Sequence, residues 1–372
     1  MEWPLIYIVT IVGLAAMAIS AIPRERYKYG LETAWLLIFV FLAIRYDFGN
    51  DYMSYMDTFS WGVSFDDELG AYRTARESEP GWQLLCKLFH PLGFFAFVAL
   101  LTAFECYAFY SVTKRYVPER YYWLSIFIFV FTPSIMLIGC SAMRQMLAIA
   151  IFVNSIKYIE RRKFLPYVIS IFVASQFHTS AVILYPLYFL TFYSGQRRVV
   201  NGLMVVAYII LMSSSEHMQE VIESVATIAG EEETVDYYLE NAVFQQGGSG
   251  LGNIFKVIIL SYIALTLHIR SSNARIPFFL LIVGTFIVPF STVVPMMGRL
   301  GYYFGVANMV CYPIILKDDL IGGERGLGAR RVGSTIVLAL TVLLTIFEYT
   351  SFFVSPIWIE KFSTYHTIFE AL

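Results

Sequence analysis

The chain has 372 residues, 58% of them hydrophobic and only 15% charged, with a formal net charge of −2. Soluble domains carry about 25% charged residues, so the composition excludes an ordinary soluble domain, and the near-neutral balance gives no electrostatic ground for a nucleic-acid partner. Apolar runs of the length a bilayer-crossing helix needs follow one another almost end to end, and the alternating segments of a transmembrane barrel are missing. The expected fold class is an all-α polytopic membrane protein, a single integral membrane domain over residues 1–372.

In chain order, about 12 spans are expected from apolar length, at 4–22, 28–45, 92–112, 121–138, 142–160, 164–177, 179–193, 199–213, 252–269, 276–293, 300–316 and 332–350. The first is preceded by Glu2 and lacks a basic leading region, so no cleavable signal peptide is expected. Most Lys and Arg residues fall in the hinges at 24–28, 114–120, 157–163, 197–198, 270–275 and 317–331. The positive-inside rule makes those hinges cytoplasmic. Both termini, two long loops (46–91 and 214–251) and the tail 351–372 are then extracytoplasmic.

The stretch 164–193 is flanked by basic hinges on both sides. As one helix it would be about 45 Å long, more than a bilayer core accommodates. A hairpin of two legs of about 14 residues, each reaching about 21 Å, fits better. Its apex, Ser175-Gln176-Phe177-His178-Thr179-Ser180, is then recessed, and polar backbone at that depth has to line a wet cavity or be buried in protein.

The outer loops differ in character. Residues 214–251 are rich in Glu, contain no Lys or Arg and end in Gly247-Gly248-Ser249-Gly250. They read either as a solvated amphipathic helix with a flexible linker or as a lid whose Tyr237, Tyr238 and Phe244 stack on sugars. The first loop opens with Arg45-Tyr46-Asp47-Phe48-Gly49-Asn50-Asp51-Tyr52 and closes with Glu79-Pro80-Gly81-Trp82. A turn at Gly49-Asn50 brings Asp51 back toward Arg45. Asp51 then either pairs with Arg45 to order the loop, or binds a sugar hydroxyl or acts as a base. Glu79 either caps a helix that starts at Pro80 or points outward to position sugar. Trp82 offers a stacking face, and Tyr52 is grouped with it as a substrate-binding candidate.

Arg45, Arg144 and Arg299 all fall on the face that the positive-inside rule depletes. Arg144 and Arg299 are expected to open helices, where free N–H groups and the helix dipole already favour anions. An arginine fork there suits phosphate, although snorkelling to lipid head groups also explains any one of them. His178 is the candidate general base, because imidazole titrates near neutrality. Glu105, inside a span, is expected to make a helix–helix hydrogen bond away from this site. Cys86, Cys106, Cys140 and Cys311 show no metal spacing, so neither a metal nor a cofactor is expected.

Five strings occur in order: Arg-Tyr-Asp-Phe-Gly-Asn-Asp-Tyr-Met-Ser-Tyr (45–55), Glu-Pro-Gly-Trp (79–82), Met-Arg-Gln-Met-Leu-Ala (143–148), Phe-His-Thr-Ser-Ala (177–181) and Arg-Leu-Gly-Tyr-Tyr-Phe (299–304). Together they resemble the EpsG family, the Wzy-like polymerases of bacterial exopolysaccharide, capsule and O-antigen repeat units. The resemblance implies a GT-C-like glycosyltransferase of the bacterial cytoplasmic membrane whose site faces outward. Its matching positions here are Arg45, Asp51, Glu79, Arg144, His178 and Arg299. The implied donor and acceptor are undecaprenyl-diphosphate-linked oligosaccharides, with a chain-length regulator and a flippase as plausible partners. Rival readings are a lipid-linked oligosaccharide flippase, which usually shows paired halves, an O-antigen ligase and a membrane acyltransferase.

Overall fold

The computed structural model describes residues 4–61, 79–192, 275–293, 295–321, 327–356 and 358–371, with single positions 206, 210 and 259. The expected spans at 199–213 and 252–269 and the acidic loop 214–251 lie outside the described residues. The chain divides into two compact units, Met1–Tyr193 with Glu348–Leu372, and Ser194–Phe347.

In the first unit, α1 (Leu5–Ser20) buries Leu5, Val9, Gly13, Ala16 and Ser20, one stripe at helical spacing. Tyr7, Ile11 and Leu14 stand outward on the same helix. Apolar residues both inside and outside are what lipid selects and water does not. A side chain at Gly13 would come within 2.8 Å of Val130 and Phe131, so the glycine permits close approach of α1 to the buried helix α6 (Tyr122–Phe131). Helix α2 (Gly30–Ala43) and α5 (Phe94–Tyr116) complete this layer. Helix α6 ends at Phe131 rather than at 138, because Pro133 has no N–H to continue the ladder. A short α7 (Leu137–Ser141) follows, and α8 (Met143–Glu160) runs close to the expected limits.

The hairpin is present, with unlike legs. Helix α9 (Phe164–Ser175) is α-helical, whereas Thr179–Phe192 is a 3-10 helix. The 3-10 helix has three residues per turn, and Ala181, Leu184, Leu187 and Leu190 are its buried stripe at that spacing. Pro186 sits inside it, and the Tyr167 hydroxyl donates to the Leu184 carbonyl at 2.6 Å.

Two ends of this unit are defined by contacts. At one end Arg24 pairs with Glu119 and Lys114 with Glu32, both among the basic hinges. The other end gathers the start of α1, the end of α2, α3 (Tyr52–Trp61), α4 (Pro80–Phe89), the start of α8 and the hairpin apex. The tail also returns here: β1 (Arg45–Tyr46) pairs antiparallel with β2 (His366–Thr367). That two-stranded sheet is a departure from the all-α expectation, and it is confined to this end.

In the second unit, α10 (Arg275–Val293) packs on α11 (Pro295–Gly301) and α12 (Gly305–Ile321). A side chain at Gly284 would meet the Phe304 Cβ at 2.6 Å, so α10 lies tight against the turn Tyr302–Phe304. The long helix α13 (Leu327–Val354) begins in this unit and passes to the first at Glu348. Among the described residues, Phe94–Tyr116 and Thr335–Val354 are long and apolar enough to cross a membrane.

Candidate active site

Glu79 is where the two halves of the first loop's chemistry meet. The residue before a proline is kept out of the helical region, and Glu79 has φ −126° and ψ 67° with Pro80 opening α4. It therefore occupies the cap position expected of it, yet its side chain makes no cap bond. The carboxylate turns away from α4 toward α8 and the hairpin apex. Oε2 accepts from Arg144 Nη1 at 2.5 Å, and Oε1 lies 3.0 Å from His178 Nδ1. Oε1 also faces the Thr179 backbone N–H at 3.3 Å and the Thr179 hydroxyl at 3.4 Å.

The approach of α4 to the apex depends on Gly81. Its N–H donates to the Gln176 carbonyl at 3.0 Å, and a side chain there would fall 2.7 Å from the Gln176 Cβ. Burial pushes the Glu79 carboxyl up, but the His178 hydrogen bond, the Arg144 charge and the Thr179 N–H outweigh it and hold the group below its ordinary value. Glu79 is an ionised, fully engaged anchor.

Arg144 opens α8, as expected, with Ala142 at the cap position. Its Nε faces the Tyr55 hydroxyl at 3.4 Å, and its guanidinium lies 5.7 Å from the centre of the Tyr55 ring. Nη2 has no hydrogen-bonding partner among the described residues, and the side chain is 26% exposed. His178 is 21% exposed, and its Nε2 likewise has no partner among the described residues. Glu79 thus takes the inner nitrogen of each cationic or titratable partner and leaves the outer one available.

Asp51 is exposed just before α3, and its backbone carbonyl accepts from the Tyr55 N–H at 3.0 Å. No pair with Arg45 forms. The Asp51 charge is instead felt at the Tyr55 hydroxyl, which burial pushes above its usual range against the pull of Arg144. Tyr55 and Thr179 were not singled out in the sequence. The signal for Tyr55 was its position four residues after Asp51 in a helix. Thr179 merely follows His178.

Five expectations meet a different placement. Arg45, expected on the outer face as a substrate-binding candidate, is fully buried. It donates to the Leu42 carbonyl, to Thr102 Oγ1 at 2.7 Å and to the Cys140 carbonyl at 3.4 Å. Tyr52 is also fully buried, its hydroxyl donating to the Arg45 carbonyl at 2.8 Å. Trp82 is wedged between Tyr55 and Phe97, with ring centres 5.4 Å away on each side, so it presents no open stacking face. Arg299 is exposed but stands in the last turn of α11 rather than at a helix start, so the dipole argument does not apply to it. Glu105, expected to hydrogen-bond between helices, has no hydrogen-bonding partner at either oxygen among the described residues, lies one turn from Thr102 and feels the charge of Arg45.

The EpsG family profile matches residues 31–367, nearly the whole chain. No curated protein and no solved structure matches it.

Proposed function

The chain belongs to the EpsG family, Wzy-like polysaccharide polymerases, and on that premise we propose that it is a glycosyltransferase joining undecaprenyl-diphosphate-linked repeat units. The family and the apolar helices make it a membrane protein of polysaccharide synthesis. The observation that carries the finer reading is Glu79 bridging Arg144 and His178.

In this reading a hydroxyl oxygen of the acceptor's terminal sugar attacks the anomeric carbon of the donor. The bond from that carbon to the diphosphate oxygen breaks, and undecaprenyl diphosphate leaves. Glu79 accepts the Nδ1 hydrogen of His178, which fixes the tautomer with the Nε2 lone pair outward. Nε2 takes the hydroxyl proton as the bond forms. The tether to Glu79 stabilises the imidazolium that results. Arg144, at a helix start, offers Nη2 to the leaving diphosphate, where charge develops. Asp51 is the second candidate base or a sugar ligand. Arg299, exposed in the second unit, is a further phosphate-binding cation of the proposal. The same proposal includes about 12 spans in a GT-C-like fold, both termini extracytoplasmic, and a site that faces out of the bacterial cytoplasmic membrane. A chain-length regulator and a flippase are the proposed partners.

The test is reconstitution with a synthetic lipid-diphosphate-linked repeat unit and no nucleotide sugar or acyl donor. A ladder of polymer is expected, lost in Arg144→Ala, His178→Ala and Arg299→Ala. Movement of the unit across the bilayer without elongation would instead mark a flippase. Transfer to a non-lipid acceptor alone would mark a ligase.

A further inference from the structure

The segment after α13 folds back over the end of the unit that carries the site, and its contacts fall on the loop that leads to it. Ile359 and Phe362 close turns onto the Ser355 and Trp358 carbonyls at 2.9 Å each. Phe362 is fully buried against Phe352, Phe48 and Trp358, with ring centres 5.0, 5.3 and 6.0 Å away. Beyond it the chain is stitched down on three sides. The Leu5 N–H donates to the Ser363 carbonyl at 2.9 Å, Tyr365 stacks on Phe41 at 4.8 Å, and Tyr46 faces His366 in the two-stranded sheet. The Ile368 N–H closes the contact on the Ile44 carbonyl at 3.0 Å, and Thr367 and Glu370 form a reciprocal cap.

What this holds is the turn between β1 and α3. Gly49 has φ +83°, a conformation side chains rarely adopt. Ser141 and Phe362 both crowd the place where a side chain on Gly49 would stand, the Phe362 ring only 2.8 Å from where a Cβ would sit. Ser141 precedes Arg144 by three residues. The turn launches α3, which carries Tyr55 under the Arg144 guanidinium and follows directly on Asp51. A shift at Gly49 therefore moves Asp51 and Tyr55 relative to Arg144.

We propose that the segment 358–368 is a positioning element of the reaction site, and that Phe362 is the residue that packs on the Gly49 turn beside Ser141 and so sets Asp51 and Tyr55 against Arg144. The catalytic half of the proposal rests on the glycosyl-transfer reading above; the structural half does not. Phe362 touches no substrate and acts through the turn.

The experiment uses the full chain in nanodiscs, with Phe362→Ala, Phe362→Leu and, as a control for general loss of core packing, Phe129→Ala on α6. Amide hydrogen exchange is read at residues 46–52, and kcat and KM are measured on a synthetic lipid-diphosphate-linked repeat unit. Phe362→Ala is expected to speed exchange at 46–52 and to lower kcat by about tenfold to a hundredfold, the usual consequence of a misplaced reacting group, with KM little changed. Phe362→Leu, which keeps most of the volume, recovers most of both. Phe129→Ala leaves exchange at 46–52 and kcat as in the parent. If Phe362→Ala does not fold, Phe362→Leu carries the same two readings with a smaller drop. Unchanged exchange at 46–52 overturns the proposal, as does an equal fall of kcat in Phe129→Ala. Should the parent protein fail to elongate the lipid-linked unit, the glycosyl-transfer reading and the catalytic half fall with it, while the exchange result still decides whether Phe362 clamps the turn.

Discussion

His178 and Glu79 are 99 residues apart in the chain and 3.0 Å apart in the fold. The same carboxylate holds Arg144 at 2.5 Å on its other oxygen. A single anion therefore fixes the orientation of an imidazole from the hairpin apex and a guanidinium from the start of α8. Both partners keep an outward nitrogen without a partner among the described residues, which is the arrangement a proton acceptor and an anion binder need.

Glu79→Gln should separate orientation from charge. The amide keeps the size and one acceptor, but its NH2 must face either His178 or Arg144. Polymer formation on a lipid-linked unit is expected to fall by about 10²-fold or more in kcat, the range for a disturbed general base. Protein yield should stay near the parent, and kcat is read at a temperature where the variant is fully folded. A Glu79→Gln enzyme that keeps full kcat would remove Glu79 from the mechanism.

The pH dependence of stability has a defined sign. The Glu79 carboxyl in the folded protein lies below its ordinary value of 4.5. The unfolded chain therefore binds the proton first as pH falls, and Glu79 stabilises the fold above that value. The contribution is constant from neutral pH down to about 4.5, then shrinks and is lost as pH drops through the folded value. Melting curves of the parent and Glu79→Gln across pH 3–7 measure it. The gap between them should be flat above pH 5 and close on the acid side. A gap that widens toward acid would contradict the ionised, paired carboxylate.

These two predictions concern residues that were visible in the sequence one by one but not as a set. Helices α1, α2, α8, α9 and α10 were legible because lipid-facing helices keep long apolar runs whatever they pack against. The pairing of Glu79 with His178 was not legible, because no local rule relates a cap residue to a hairpin apex so far along the chain. Arg45 was misplaced for a related reason. Its position at the end of α2 suggested the surface, but Thr102 and the Cys140 carbonyl supply donors' partners deep in the unit. The 3-10 leg was hidden because nearly every residue in 179–192 is apolar, so a period of three and a period of 3.6 fit equally well. The strand at 366–367 is too short to show alternation.

Gly81→Ala should act on the site without touching any reacting group. The added methyl meets Gln176 at 2.7 Å to its Cβ and 2.9 Å to its backbone oxygen, and the latter cannot swing away. Helix α4 has to back off from the apex, which lengthens the Glu79–His178 contact. A cost of about 1–3 kcal/mol in stability is expected from overpacking, with kcat reduced well beyond what the melting shift explains. The check is kcat measured at a temperature where the variant is fully folded. Full kcat under that condition would mean that the α4–apex contact does not set the Glu79 geometry.

Arg45 and Glu105 should behave as a coupled buried pair rather than as site residues. Among the described residues, Arg45 Nε and both Glu105 oxygens are buried without hydrogen-bonding partners, and Glu105 lies one helical turn from Thr102, whose hydroxyl Arg45 does bind. Removing the guanidinium alone, in Arg45→Met, strands the Leu42 and Cys140 carbonyls that it binds and takes away the cation beside Glu105, so the variant is expected to be destabilised. Adding Glu105→Gln removes the stranded acid, so the double variant is expected to be more stable than Arg45→Met alone. The coupling between the two changes should be about 1–3 kcal/mol in a double-mutant cycle of thermal unfolding. Strict additivity would show that the two groups do not sense each other. Because neither side chain reaches the Glu79 cluster, the double variant, once folded, should also retain a KM for the lipid-linked unit close to the parent's, whereas an Arg45 that gripped the diphosphate would raise it however well the protein folds.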